Sequence, residues 1–365
     1  MGLVLERKDL RDLSLGAAFL GTGGGGDPYI GRLMLERVMA EGRRVEIVPL
    51  GEVSDGDRVI PTAMMGAPTC LVEKIPRGDE GALSLRRLEA FLGVRATCTM
   101  PVEAGGMNAT VPLIVGAQLG LPVVDADGMG RAFPNLYQDT FHVHGVPGTP
   151  MAITDEHGDT VILTACDDFR KEWIARGVTI RMGGCAHIAE YSMDGRTARR
   201  AAIAGTLGVC LAIGRAIREA NEQHSDPFDR LVGSLRDTPY RHARVLWTGK
   251  VIEVYRRTTE GFARGWARLR DTEGSGETLD VLIQNENLVA RAGSRVLCSV
   301  PDLLCILDRE TAEPITTEAL RYGQQVKVVG VAAPPILRAP EALVVFGPRA
   351  FGIDLDFVPV EESAP

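Results

Sequence analysis

The first part of the chain alternates between two hydrophobic patterns. Short runs of β-branched and other apolar residues predict strands, and segments with apolar residues three or four positions apart predict helices. Strands are predicted over residues 44–50, 58–64, 96–102 and 121–125, and helices over residues 9–20, 29–41, 80–92 and 109–119. Strands and helices in alternation indicate an α/β fold with a mainly parallel sheet.

The last third of the chain follows a different pattern. A long helix predicted over residues 197–222 is followed by an irregular connection and then by short β-prone segments. These segments cover residues 245–255, 261–270, 278–284, 296–300, 326–331, 342–346 and 355–360. They indicate a β-rich domain, either a sandwich or a barrel. We therefore expect an amino-terminal α/β domain over residues 1–168 and a carboxyl-terminal domain over residues 169–365.

Polar residues cluster around the strand–helix–strand unit in the middle of the first domain. Glu103 falls where one strand ends, and Asn108 is placed to cap the helix that follows. Asp125 and Asp127 lie at the end of the next strand. Because ligands bind beyond the carboxyl ends of strands in α/β sheets, we expect these four side chains to converge. The alternative is that they are ordinary capping and turn residues.

A run of four glycines precedes the second predicted helix, at Gly23, Gly24, Gly25 and Gly26. Backbone N–H groups at the start of a helix bind anions, so the run could hold an oxyanion or a carboxylate. A close approach of two backbones is the structural alternative. Nucleotide-binding loops follow a strand, whereas a helix precedes this loop, and the lysine of the Walker motif is absent. We therefore expect no bound nucleotide.

Histidines supply candidate metal ligands. His142 and His144 share one face if they lie on a strand, and His187 and Glu190 share one face if they lie on a helix. The alternative is a set of partly exposed imidazoles and structural hydrogen bonds. A divalent metal, for which zinc is our first expectation, would be held by Asp125, Asp127, His142 and His187.

Composition and charge narrow the function classes. A net charge of −8 without a basic run argues against a nucleic-acid partner. The first residues lack the apolar core of a secretory signal, and no apolar run reaches membrane-spanning length. Seven scattered cysteines, without a Cys-x-x-Cys pair, are typical of reduced thiols. We therefore expect a cytoplasmic protein that acts on a small molecule away from membranes. A homo-oligomer follows only from the base rate.

Long motifs occur at intervals over nearly the whole chain. In the first domain they are Gly21-Thr-Gly-Gly-Gly-Gly-Asp-Pro-Tyr29, Glu103-Ala-Gly-Gly-Met-Asn108 and Asp125-Ala-Asp-Gly-Met-Gly-Arg-Ala-Phe-Pro134. Later ones include Gln284-Asn-Glu-Asn-Leu-Val-Ala290, Pro301-Asp-Leu-Leu304 and Gly347-Pro-Arg-Ala-Phe-Gly352. Together they resemble the S-methyl-thiohydantoin desulfurase family, formerly a domain of unknown function associated with hydantoinase and oxoprolinase genes. The resemblance implies two domains and hydrolysis of an S-methylated thiohydantoin to a hydantoin, with thiol release.

Roles for the individual residues follow from the chemistry of that hydrolysis. Asp125 and Asp127 would hold a metal or position water, with Glu103 as the base. Asn108 and the glycine N–H groups would stabilise developing negative charge, and Arg131 would bind a substrate carboxylate. The amides and carboxylate of Asn285 and Glu286 would contact substrate, or satisfy turn backbone. Two other functions stay open: an accessory or ligand-binding subunit of a hydantoinase-like system, and an ATP-dependent ring-opening hydantoinase.

Overall fold

The helices and strands follow from a computed structural model that describes residues 2–67, 70 and 73–363. The helices are α1 (Leu10–Leu20), α2 (Pro28–Ala40), α3 (Glu80–Leu92), α4 (Val111–Leu119), α5 (Thr140–Val143), α6 (Asp168–Arg181), α7 (Gly195–Ala201), α8 (Thr206–Glu222), α9 (Pro227–Leu235) and α10 (Pro340–Phe346). No helix within the described residues has the length and apolar character needed to cross a bilayer.

Seventeen strands form two sheets within the described residues. In the first part of the chain they are β1 (Leu3–Val4), β2 (Glu46–Pro49), β3 (Arg58–Gly66), β4 (Cys98–Pro101), β5 (Val123–Asp127), β6 (Met151–Thr154), β7 (Thr160–Leu163), β8 (Cys185–Ala189), β9 (Met193–Asp194) and β10 (Ile203–Ala204). The others are β11 (Ala243–Thr259), β12 (Phe262–Asp271), β13 (Thr278–Gln284), β14 (Glu286–Ala292), β15 (Arg295–Ser299), β16 (Leu303–Asp308) and β17 (Gln325–Val331).

The first sheet has a parallel centre, in the order β2-β5-β4-β3. Antiparallel strands extend it on both sides, with β1 beside β2 and β8, β6 and β7 beyond β3. The carboxyl ends of β4 and β5 lie on the same edge, so Glu103 and Asp127 come close to each other. The α/β class predicted for the first domain is confirmed.

Helices α1 and α8 pack against each other at unusually close range. A Cβ at Gly16 would lie 1.8 Å from the carbonyl oxygen of Cys210, and one at Gly214 would lie 1.8 Å from that of Asp12. Only glycine permits this approach at both positions. The tight contact fixes α1 and, with it, the glycine run that starts where α1 ends.

The second sheet is antiparallel throughout, in the order β15-β14-β13-β12-β11-β17-β16. Strands adjacent in sequence pair along most of its width, which explains the short β-prone segments separated by turns. The β-rich character predicted for the last third is confirmed. The first sheet takes strands from as far along the chain as Ile203–Ala204, past the expected boundary at residue 168; that boundary stays a prediction.

Several local predictions were wrong. The helix expected over residues 197–222 is two helices, α7 and α8, with β10 between them, and the segment at 342–346 is helical. Asn108 does not cap α4, which has Thr110 at its N-cap position, because its amide bonds to another strand. His142 lies in the short helix α5, whereas His187 lies in strand β8 rather than in a helix.

Candidate active site

The glycine run joins α1 to α2 and packs on the turn that follows Glu103. Met107 N–H donates to the Gly25 carbonyl over 2.9 Å. A Cβ at Gly106 would lie 2.4 Å from the carbonyl carbon of Gly25, so no larger residue fits there. Gly25 and Gly26 have φ angles of 76° and 82°, which favour glycine. The structural explanation of the run, a close approach of two backbones, is therefore part of its role.

The N–H groups of Gly25 and Gly26 are left free by this packing. Neither donates to another residue within the part of the chain that the structure describes. Gly24 instead lies against Glu286, since a Cβ at Gly24 would come within 2.1 Å of the Glu286 Oε1 atom. Gly23 accepts a hydrogen bond from the backbone of Thr317 over 2.8 Å. The four glycines therefore divide into two that contact the second sheet and two that can contact a ligand.

Glu103 follows β4 at the start of the turn, where Asp127 holds the backbone. Asp127 Oδ2 accepts from Ala104 N–H over 2.7 Å and from Gly130 N–H over 3.0 Å. Asp127 is fully buried, and burial raises its pKa to about 7. It positions the turn that carries Glu103 and does not line the cavity described below.

Asn108 fixes the Glu103 side chain and connects it to β3. Its Oδ1 atom accepts from Met64 N–H over 2.7 Å, and its Nδ2 atom donates to the Met64 carbonyl over 3.0 Å and to Glu103 Oε1 over 2.5 Å. Both Nδ2 hydrogens are thereby used. Asn108 orients the carboxyl group and has no donor left for developing charge on a substrate, contrary to the sequence-based prediction.

The second sheet contributes Asn285 and Glu286, where β13 turns into β14. Asn285 has a φ of 56°, and its Oδ1 atom accepts from Ala263 N–H over 2.8 Å. No acceptor for its Nδ2 atom lies among the described residues. Thr317 Oγ1 donates to the carbonyls of Gly23 and Asn285 over 3.0 and 2.8 Å. These bonds hold the glycine run and the second sheet together.

One small cavity of about 50 Å³ lies between these segments. Its polar lining comes from three separate regions and includes Gly25, Gly26, Glu103, Asn108, Asn285 and Glu286. Met64, Met65, Val102 and Phe133 are among the apolar residues of its walls. The cavity unites six residues that the sequence separates by more than 250 positions, all of them candidates from the sequence.

The two carboxyl groups in the cavity have unusual electrostatics. Burial raises the pKa of Glu103 to about 8, although the Asn108 hydrogen bond opposes the shift. Burial and then the charge of Glu103 raise the pKa of Glu286 well above its ordinary value. The Oε2 atoms of both side chains are buried without a partner at hydrogen-bond geometry among the described residues, and the nearby Phe133 N–H group acts with Asn108 to oppose the rise in the pKa of Glu103. Two buried acids that repel each other near a small cavity are the arrangement from which enzymes make a general base and a general acid.

Arg131 and Asp125 lie outside this cavity. Arg131 is fully buried and donates to the carbonyls of Asp302 and Asn287 over 2.8 and 3.0 Å and to Thr22 Oγ1 over 2.7 Å. Its donors are thus occupied by the protein, which corrects the prediction that Arg131 binds a substrate carboxylate. Asp125 accepts from Leu207 N–H over 2.8 Å at the start of α8, so it has a capping role.

The four residues expected to hold a metal have separate partners. His142 Nδ1 lies 2.8 Å from Asp168 Oδ2, and His187 lines a different cavity beside Glu80. Glu190, the expected companion of His187, pairs with the buried Lys171 over 2.8 Å. Within residues 2–67, 70 and 73–363, no three His, Cys, Asp or Glu side chains are grouped to hold a metal ion. Asp125, Asp127, His142 and His187 therefore do not fit a common zinc ion.

Residues 133–136 also form a wall of the cavity, although none of them was a candidate site residue in the sequence analysis. Arg176 in α6 donates to the Pro134 carbonyl over 2.9 Å and pairs with Glu172, which in turn accepts from Leu136 N–H over 2.8 Å. The guanidinium also lies 4.4 Å from the ring centroid of Phe262 in the second sheet. These contacts join segments distant in sequence, so periodicity and spacing could not reveal them.

Comparisons with known proteins agree with the two-domain description. A family model described as S-Me-THD-like, N-terminal domain, matches residues 8–165, and one described as S-Me-THD-like, C-terminal domain, matches residues 166–360. No curated protein matches the chain. The chain is similar to the X-ray crystal structure of a protein from Chromobacterium violaceum, with 25% identity and a TM-score of 0.79. The alignment covers 98% of this chain and 100% of that one.

Proposed function

The chain belongs to the S-Me-THD-like family, and from that premise we propose that it hydrolyses the carbon–sulfur bond of a small S-methylated thiohydantoin. The products are a hydantoin and methanethiol. The observation that carries the proposal is the pair of buried carboxyl groups, Glu103 and Glu286, beside one small cavity. Hydrolysis of this bond needs one group that accepts a proton from water and another that gives a proton to the departing sulfur.

Glu103 is the general base in this scheme. The Asn108 hydrogen bond favours the ionised form of Glu103, whereas burial and the charge of Glu103 favour the protonated form of Glu286 by raising its pKa. The ionised Glu103 removes a proton from a water molecule, whose oxygen forms a bond to C2 of the ring. Electrons of the C2–N3 double bond move to the ring nitrogen. The N–H groups of Gly25 and Gly26 are available to stabilise the negative charge that develops there.

Glu286 is the general acid. The C2–S bond breaks, and methanethiolate takes the proton of Glu286 as it leaves. The oxygen at C2 becomes the carbonyl of the hydantoin, and its remaining hydrogen passes to the ring nitrogen. A proton then moves from Glu103 to Glu286 and restores the starting state. Asn285 Nδ2, which has no acceptor within the described ranges, can donate to the C4 carbonyl of the ring and orient it. No step in this scheme requires a metal.

A thiol-release assay tests the proposal. The purified chain is incubated with 2-methylthio-imidazol-4-one substrates, and methanethiol and the hydantoin are measured in parallel. We expect equal amounts of both products from the unmodified chain, and none above background from a Glu103→Gln/Glu286→Gln double variant. If the folded chain binds these compounds without releasing thiol, the enzymatic proposal is wrong and a ligand-binding subunit is the better description.

A further inference from the structure

Helix α6 has an unusual distribution of side chains. Phe169, Trp173 and Ile180 lie on one face and are 56%, 67% and 49% exposed. Lys171 and Glu172, on the inward face, are buried with their charges paired. A surface helix normally has the opposite arrangement, with apolar residues inside. An exposed apolar stripe next to buried charges indicates a surface that binds a ligand or another macromolecule.

The apolar face of α6 is one wall of a large groove. The groove has a volume of about 1070 Å³, and Tyr137 and Phe262 also line it. The rings of Tyr137 and Phe169 are 4.6 Å apart, so together they form an aromatic surface. Such a surface binds flat or bulky apolar groups and contributes binding free energy through area and ring stacking.

The groove adjoins the candidate active site. Asn135 and Arg176 line both the groove and the small cavity that contains Glu103. Arg176 is fixed by Glu172 and by the Pro134 carbonyl, so the connection between the two spaces has a defined wall. The inner cavity of about 50 Å³ leaves little room beyond the reacting part of a ring. Any bulky substituent on that ring must extend outward, and the groove is the adjoining space.

We propose that the groove holds the C5 side chain of the substrate ring and selects thiohydantoins with a bulky apolar, above all aromatic, C5 side chain. This inference rests on the function proposed above, because it assumes that the ring lies in the inner cavity. The continuity through Asn135 and Arg176 favours a substituent of the substrate over a second protein chain as the occupant.

The test compares two substrates that differ only at C5, one with a benzyl group and one with hydrogen. Phe169→Ala and Trp173→Ala are the test variants, and Phe91→Ala is the matched control, since Phe91 is also 56% exposed on a helix and away from the groove. We expect kcat/KM for the benzyl substrate to fall about ten-fold in the test variants, as for loss of an apolar contact. In the same variants, kcat/KM for the substrate with hydrogen at C5 should not change. Phe91→Ala should leave kcat/KM unchanged for both substrates. Equal effects on both substrates, or no effect, would overturn the proposal.

Two further measurements separate the groove from the reaction. Calorimetric binding of 5-benzylhydantoin and of hydantoin needs no turnover. Tighter binding of the benzyl compound that Trp173→Ala removes supports the groove, even if the chain releases no thiol and the reaction is wrong. Equal binding of the two compounds with normal turnover rejects the groove alone. Sedimentation tests whether a second copy of the chain covers the groove instead. If the unmodified chain is a dimer, if Trp173→Ala dissociates it, and if kcat/KM falls equally for both substrates, the face is an interface between copies and the proposal is overturned.

Discussion

Asn108 Nδ2 lies 2.5 Å from Glu103 Oε1, while the same amide pairs with both backbone groups of Met64 in β3. The Glu103 carboxyl group is therefore held in place by an amide that is itself fixed on strand β3, although Glu103 lies in the turn after β4. The hydrogen bond stabilises the ionised form of Glu103 and limits the rise in pKa that burial causes. Asn108 is thus a positioning residue that also sets the pH at which the base becomes active.

Substitution of Asn108 should move the pH dependence of activity. With Glu103 as the base, kcat/KM rises with pH as the group loses its proton, with a midpoint near its pKa of about 8. Asn108→Asp replaces the donor by a second acid, so the midpoint should move to higher pH. Thiol release measured from pH 6 to 10 gives the midpoint. Asn221→Asp is the matched control at a site on α8 away from the cavity, and it should leave the midpoint unchanged. An unmoved midpoint in Asn108→Asp would show that another group is the base.

The Glu103→Gln and Glu286→Gln variants should differ in how much their kcat depends on the leaving group of the substrate. Glu103→Gln and Glu286→Gln should each lower kcat by about 100-fold or more, the usual contribution of general acid–base catalysis. An S-trifluoroethyl substrate releases a more stable thiolate and needs less help from an acid. It should therefore restore much of the rate in Glu286→Gln and little in Glu103→Gln. The ratio of kcat for the two substrates measures this, and equal ratios in both variants would contradict the assigned roles.

Local patterns in the sequence predicted some of the residues that line the cavity. Glu103 follows strand β4 of the parallel centre, and the glycine run follows helix α1, so the positions of both could be predicted from local patterns. Asn285 and Glu286 came mainly from motifs of the family. What brings them to Glu103 is packing of the second sheet on the glycine run, through Thr317 and Thr22, and no local pattern encodes that contact.

The wrong predictions also have physical explanations. Asn108 has the sequence features of a helix cap, but its amide bonds to Met64, which is 44 residues earlier in the chain. Arg131 has the chemistry of a carboxylate ligand, but it is buried between the two sheets. His187 and Glu190 have helical spacing, yet His187 lies in strand β8 and Glu190 directly follows it, and Glu190 pairs with Lys171. In each case a distant contact determined the role, and residue type with local spacing could not show it.

Glu103 should make stability depend on pH in a predictable direction. Its ordinary pKa is 4.5, and in the folded chain it is about 8. Between these values the folded chain keeps a proton that the unfolded chain has released. The contribution of Glu103 to the free energy of unfolding is therefore full below pH 4.5 and falls as pH rises to about 8, by up to about 1.4 kcal/mol per pH unit.

Urea unfolding of the unmodified chain and of Glu103→Gln at several pH values measures this contribution together with the effect of the Glu103 charge on Glu286, since the other buried acids are present in both. The stability of the unmodified chain relative to the variant should decline from pH 5 to pH 8. Glu310→Gln, at a side chain 86% exposed, is the control and should show no such decline. A constant difference between the unmodified chain and Glu103→Gln would mean that Glu103 is ionised throughout this range in the folded state.

Arg131 should prove to be a stabilising residue rather than a substrate ligand. It links the glycine run to the second sheet through Thr22 Oγ1 and the Asn287 carbonyl. Arg131→Met keeps the apolar stem and leaves several buried acceptors without a donor. The free energy of unfolding should therefore fall by about 3 kcal/mol or more, as expected for several unsatisfied buried groups. Arg37→Met, at an arginine 77% exposed, is the control and should change it by no more than about 0.5 kcal/mol. Urea unfolding midpoints measure the stability of both variants. Unchanged stability in Arg131→Met, with a raised KM only for substrates that carry a carboxylate, would instead support the role that the sequence predicted.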